Sequence, residues 1–358
     1  MLTASVCSIG VFFSAYLFTL LISNVLSIKN DVSIPYQFKK DPYIYIFLLL
    51  LVLFVGIASF VPDFRDIILP INPLWLGLSF LFAALIYVLF LLEADTLLDL
   101  GVFFLSVLST FLFANHDALV DLAPVPWQLS ALGIGLFIGL ITLGARVLAG
   151  LTGIFSLVIT LCSIGLFLTA VAGGIPFYLG LMAAAVAGTF ACVFQFNHWG
   201  MRLKINEGVM MSVTFLFCML LLAGTNELAG PSMFILVLYI PAELFWSLWK
   251  QYILRHKEPD LYFNSVYFNT FEKGVDLSTI HVLVLKISTV NTVFALFQLY
   301  AQNAFTLPVL VFIIDFWLLS KMNSIGTPAQ SIKEINQEFI QNIKNEIKDI
   351  KQTFTSKD

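Results

Sequence analysis

The side chains of this chain that can do chemistry are few, and they stand in short polar stretches between long apolar runs. Gly144–Gly153 (Gly-Ala-Arg-Val-Leu-Ala-Gly-Leu-Thr-Gly) holds Arg146, the only formal charge between Asp121 and Arg202. Glu93, Asp95 and Asp99 make an acidic stretch, and Asn197, Arg202, Lys204, Asn206 and Glu207 follow one another past residue 196. Lys39 and Lys40 lie in an early polar segment and Asp260 in a late one. Two chemistries suit these residue types. Glu93 and Asp95, next-but-one neighbours beside a helix end, can reach one Mg²⁺. A guanidinium such as that of Arg146 forms paired contacts with phosphate oxygens. The acidic stretch also reads as an ordinary solvated turn, and His198 and His281 read as caps at helix ends.

The elements that carry these residues are membrane helices. The 358 residues are 59% hydrophobic and only 11% charged, with a mean hydropathy of +0.95. A soluble domain carries roughly 25% charged residues. Apolar runs of about 20 residues recur from end to end, without the alternation of barrel strands, so the fold class is all-α and polytopic. The spacing predicts about eleven spans, near 5–27, 42–60, 72–92, 98–115, 126–143, 154–171, 175–196, 208–226, 230–249, 279–300 and 306–321. Cys7, Cys162, Cys192 and Cys218 each fall in a different run and read as buried thiols. The net charge of −4 argues against nucleic acid as a partner.

Charge sets the expected orientation. The segments 28–41, 144–153, 197–207, 250–278 and the tail share one side and receive nearly all the Lys and Arg, whereas the other side receives Arg65. By the positive-inside rule the first side is cytoplasmic, with the N-terminus outside and the C-terminus inside. Glu93–Asp99 is the acidic exception. Residues 1–325 form the transmembrane unit. In 326–358, Ile332, Ile335, Phe339, Ile343, Ile347, Ile350 and Phe354 recur at three- and four-residue steps, which predicts a cytoplasmic amphipathic helix for a partner or for self-association. Within 250–278, Asp276-Leu277-Ser278 is a helix-capping sequence. No internal repeat is apparent and no charge is assigned to mid-membrane; Lys286, roughly two turns into its helix, comes nearest and can snorkel.

Read in order, the segments on the basic side resemble the polyprenyl-phosphate N-acetylhexosamine-1-phosphate transferases, the multispanning enzymes that start bacterial envelope glycans. The family's Asp-x-Pro-Asn-x-Arg-Lys-x-His corresponds to Ser33-Ile34-Pro35-Tyr36-Gln37-Phe38-Lys39-Lys40-Asp41, with Asp41 where His belongs. Its Asp-Asp pair corresponds to Glu93-Ala94, with Asp95 adjacent. Its Asn-x-x-Asp-Gly-x-Asp-Gly falls on Arg146–Gly153, where Gly150 and Gly153 fit but Arg146, Ala149 and Thr152 replace Asn and both Asp. The later Gly-Asp-x-Gly-Ser region corresponds to Ile205-Asn206-Glu207-Gly208, after Phe196-Asn197-His198-Trp199. Ile240-Pro241 matches an Ile-Pro before an Asp, with Leu244 at that Asp and Glu243 just before it. The His-x-His-His loop corresponds to Ser265-Val266-Tyr267-Phe268, ahead of a matching Gly274.

The resemblance implies an eleven-helix, N-out, C-in protein of the bacterial cytoplasmic membrane. Members of this family hold Mg²⁺ on carboxylates to neutralise the pyrophosphate of a nucleotide sugar. With those carboxylates lost, it implies a catalytically degenerate protein that needs no metal or other cofactor. Such a protein binds polyprenyl phosphate, another membrane lipid or a protein partner. Lys39, Arg146, Asn197, Arg202 and Lys204 are the residues expected to hold a lipid phosphate. The alternative is an active sugar-1-phosphate transferase with a rebuilt site on Glu93, Asp95 and Glu207 and with Mg²⁺; Asp99 and Asp260 are further acids for it. A third reading is a transporter of lipid-linked glycans.

Overall fold

The computed structural model describes residues 9–20, 73–92, 95–114, 126–150, 153–198, 205–224, 232–253, 265–301 and 306–325. Lys39, Glu93, Arg202, Lys204, Asp260, the span near 42–60 and the stripe at 332–354 lie outside them, as does the side chain of Asn197.

All regular structure among the described residues is helical. α1 covers Ile9–Leu20. It is followed by α2 (Pro73–Leu91), α3 (Asp95–Phe113), α4 (Trp127–Gly144), a 3-10 turn (Ala145–Gly150), α5 (Ile154–Val171) and α6 (Phe177–His198). Then come α7 (Glu207–Gly224), α8 (Ser232–Ile235), α9 (Tyr239–Ile253), α10 (Val266–Glu272), α11 (Leu277–Ala301) and α12 (Thr306–Asn323). Seven helices of this set are long and apolar enough to cross a membrane. The chain is therefore an all-α polytopic membrane protein.

α7 is the centre of the bundle: its buried residues include every position from Gly208 to Phe215 and from Phe217 to Leu222. α5 and α6 form a closely packed antiparallel pair beside it, and α3 pairs with α4. Lipid-facing side chains are large and apolar, among them Phe104, Phe297, Ile313 and Trp317. Buried hydroxyls turn back onto their own helix, as when Ser109 Oγ donates to Leu105 O at 2.7 Å and Thr160 Oγ1 to Ser156 O at 2.7 Å. Such back-bonding satisfies a hydroxyl where no water reaches it.

The span expected near 230–249 is not one helix. α8 ends at Ile235, and Leu236–Leu238 form tight turns before α9 begins. Pro241 is the reason. It has no N–H for the carbonyl of Val237, and its ring crowds that turn. Ile240 N–H instead donates to Val237 O at 3.0 Å, and the Sγ–H of Cys162 reaches Leu236 O at 3.1 Å.

The segment 250–278 carries regular structure of its own. It contains α10, whose Val266 and Tyr267 are fully buried. Ser265 caps it by accepting from Phe268 N–H at 3.1 Å, and the buried carboxylate of Glu243 on α9 accepts from Val266 N–H. At its other end Lys273 donates to Asn323 O, and Thr270 Oγ1 donates to Met322 O at 3.3 Å. α10 is thus tied to the ends of α9 and α12. Asp276 caps α11 as its sequence expects, accepting from Thr279 N–H at 3.0 Å and from the Thr279 hydroxyl at 2.6 Å. The hydroxyl and then the backbone bond hold its carboxyl below the usual range.

α3 and α4 meet through Gly135 and Gly139, a small-xxx-small pair that brings helices close in a membrane. A Cβ at Gly135 would stand 2.6 Å from Val107 Cα, and one at Gly139 would stand 2.5 Å from the Phe103 ring. At Gly133 a Cβ meets nothing within 4 Å. Gly135→Leu is therefore expected to lower stability by about 2–3 kcal/mol, the cost of overpacking, while Gly133→Leu is expected to be neutral. Thermal unfolding in detergent, followed by thiol-dye labelling of the buried Cys162, Cys192 and Cys218, compares the two. Equal melting temperatures would refute this account of the contact.

Candidate functional site: a guanidinium among three carboxylates

Four helix ends meet at one end of the bundle. α4 finishes in the 3-10 turn that carries Arg146, α3 begins at Asp95, α7 begins at Glu207, and α5 begins after Gly153. Gly153 takes φ +84°, the left-handed conformation that favours glycine, with the Phe194 ring 3.2 Å from where a Cβ would be. The placement of charge follows the helix dipoles. Acids stand in the first turns of α3 and α7, and the arginine stands beyond the C-terminus of α4.

Each nitrogen of the Arg146 guanidinium faces a different carboxylate. Nε donates to Glu207 Oε2 at 3.0 Å, Nη1 lies 3.5 Å from Asp99 Oδ1, and Nη2 lies 3.5 Å from Asp95 Oδ1. These arms are unequal. The Arg146 and Glu207 side chains are 22% and 27% exposed, and their contact is a charge-assisted hydrogen bond. Asp95 is 81% exposed, so its attraction is screened like that of any surface pair. Asp99, at 48%, lies between. Asp95 and Asp99 are four residues apart on one helix face, where like charges repel, and Arg146 offsets that repulsion.

The structure thus brings together Asp95, Arg146 and Glu207 of the sequence-predicted site residues, with Asp99 as a fourth member. Those residues come from three separate motif segments of the transferase resemblance. Three of the five N–H groups of Arg146 face these carboxylates, two of them at 3.5 Å, so a phosphate at this guanidinium would share it with acids. Among the described residues no group of three or more His, Cys, Asp or Glu is arranged to hold a metal ion. Asn206 takes a structural part, its Oδ1 accepting from Val209 N–H at 2.8 Å at the start of α7. His281 is buried, with its ring edge-on to Phe194 at 5.1 Å, rather than at an exposed helix end.

Sequence reasoning missed two buried acids. Asp315 stands in the middle of the apolar span Thr306–Asn323 and is completely buried, and so is Glu243. This corrects the expectation that mid-membrane carries no ionisable group. The signal was present in Val-Phe-Ile-Ile-Asp-Phe-Trp-Leu-Leu, where an acid interrupts the last span. Lys286, by contrast, is exposed.

A second feature is a small, partly open apolar pocket between α2, α6 and α7, lined by Trp75, Phe80, Met182, Val186 and Phe217. It lies toward the far end of these helices from Arg146. Comparison with protein-family models, with curated proteins and with solved structures finds no match to this chain.

The unequal arms predict unequal costs. Arg146→Met is expected to destabilise the fold by about 1–3 kcal/mol, between an exposed and a buried pair. Adding Glu207→Gln to that variant is expected to restore part of the loss, because it removes the carboxylate left without its cation. Asp95→Asn alone is expected to cost under about 1 kcal/mol. Melting temperatures of the parent, these three variants and Glu207→Gln alone check this, and a larger loss from Asp95→Asn than from Glu207→Gln would reverse the assigned ranking.

Proposed function

We propose that this protein is a catalytically silent relative of the polyprenyl-phosphate sugar-1-phosphate transferases, serving bacterial envelope glycan assembly by binding a lipid phosphate or a protein partner. One observation carries the reading: Asp95, Arg146 and Glu207, from three segments that correspond to separate catalytic motifs, converge within 3.0–3.5 Å of one guanidinium. In an active transferase, hard oxygen ligands hold a metal that gathers the phosphates. In this protein a covalently tethered cation occupies the middle of the acidic group instead. A guanidinium neutralises carboxylates as a metal does, but offers no open coordination position for a pyrophosphate. The carboxylates then serve to fasten α3, α4 and α7 together. A lipid phosphate falls to Lys39, Asn197, Arg202 and Lys204 together with the remaining N–H groups of Arg146.

The reading includes about eleven spans in the bacterial cytoplasmic membrane, with the N-terminus outside and the Arg146 end facing the cytoplasm. The positive-inside asymmetry of the loops supports it.

Purified protein with UDP-N-acetylhexosamine, polyprenyl phosphate and either Mg²⁺ or Mn²⁺ is expected to release no UMP above background. Robust metal-dependent turnover that Glu93→Ala and Glu207→Gln both abolish would establish an active transferase with a rebuilt site. Single cysteines in a background free of the native four are expected to react with an impermeant reagent in intact cells at positions 116 and 227, and to stay unlabelled at 39, 202 and 255. Labelling at 202 from outside would invert the orientation.

A further inference from the structure

α12 buries Val311, Asp315, Leu319 and Met322 against the rest of the protein, with Phe312 and Phe316 packed on Phe245 and Trp246 beside them, and exposes the apolar Val309, Leu310, Ile313 and Trp317. Asp315 is the polar member of the buried seam. Its Oδ2 accepts from Asn291 Nδ2 of α11 at 2.9 Å, and both residues are fully buried. Two oxygens of this pair have no partner among the described residues: Asp315 Oδ1 and Asn291 Oδ1.

Among the described residues the surroundings offer no cation, since Lys250 of α9 donates to Asn269 of α10 and Lys273, just after α10, donates to Asn323 O. From α9 come Tyr239 and Glu243, from α10 Tyr267, and from α5 Cys162, all acidic or neutral groups. α8 brings no titratable residue. On α11, Lys286 is exposed and His281 lies against Phe194 and Gly153; on α12, Lys321 lies over the Trp317 ring, 5.8 Å from its centroid.

An ionised carboxylate at this depth with one amide donor is under-compensated by several kcal/mol. A proton on Oδ1 changes both halves of the problem. It removes the charge, and the new O–H is a donor for the unpartnered Asn291 Oδ1. A carboxylic acid and a primary amide are complementary edge to edge, N–H to O in one direction and O–H to O in the other. One proton therefore accounts for two orphaned oxygens, where an alkali cation needs several further oxygen ligands.

We propose that Asp315 and Asn291 form an occluded proton-binding site within the membrane, in which the proton on Asp315 Oδ1 bridges to Asn291 Oδ1. This site lies on α11 and α12, apart from the Arg146 group, and does not depend on the transferase reading.

The test uses the full chain in lipid nanodiscs at neutral pH. Infrared spectra are expected to show the carbonyl stretch of a protonated carboxylic acid that shifts down in D₂O and is lost in Asp315→Asn. Asn291→Leu is expected to keep the band and move it to higher frequency, as the acid loses its hydrogen-bond partners. Asp315→Asn, an isostere of the neutral acid, is expected to keep the melting temperature. No band separating the parent from Asp315→Asn would overturn the proposal. So would a Na⁺-dependent rise in melting temperature seen in the parent and lost in that variant, which would assign the site to a metal cation. Should Asp315→Asn fail to fold, Asn291→Leu decides alone: an unshifted band would overturn the proposal.

Discussion

Hydrocarbon offers no hydrogen-bond partner, so every backbone group and every charge in this protein must find its complement inside the chain or at a helix end. That constraint accounts for most of what the structure does with its few polar residues. Buried Ser and Thr bend back onto carbonyls of their own helices. Where Pro241 interrupts the helix, Ile240 N–H takes up the Val237 carbonyl and Cys162 that of Leu236. Formal charges collect at helix ends, where a partly exposed guanidinium stands against three carboxylates.

The Arg146 group shows how one change of sign alters a site. Carboxylates at the starts of two helices are favoured by the helix dipoles but repel one another. A divalent metal resolves that repulsion and leaves coordination positions for substrate. An arginine resolves it too, but spends its nitrogens on the same carboxylates. The residues then act as a fastening between helices that are 61 residues apart in sequence at the Glu207 contact.

Glu243 and Asp315 meet the same constraint differently. Glu243 gives one oxygen to the first turn of α10 and so fixes a short helix that could not hold its shape alone. Asp315 accepts from a side-chain amide on one oxygen, and among the described residues the second oxygen of each acid has no partner. Two buried acids in similar surroundings thus have different roles, set by which donors the neighbouring helices present.

The sequence by itself determined the fold class, because an apolar run long enough to cross a bilayer has few other stable outcomes. It also placed α2 to α7, α11 and α12 within a few residues, since apolar runs and the polar residues that end them are local features. The acid in the last span was equally legible in the one-dimensional string, and hydropathy averaging hid it. Only the tertiary structure decided the partners. That Arg146 faces Glu207, Asp99 and Asp95 rather than an open cleft depends on how α3, α4 and α7 pack, through contacts such as Gly135 on Val107. That Asp315 meets Asn291 depends on the rotation of α12, whose exposed faces are as apolar as its buried seam. Hydrophobicity drives a helix into the membrane without choosing the face it turns to its neighbours; close packing and polar pairing make that choice.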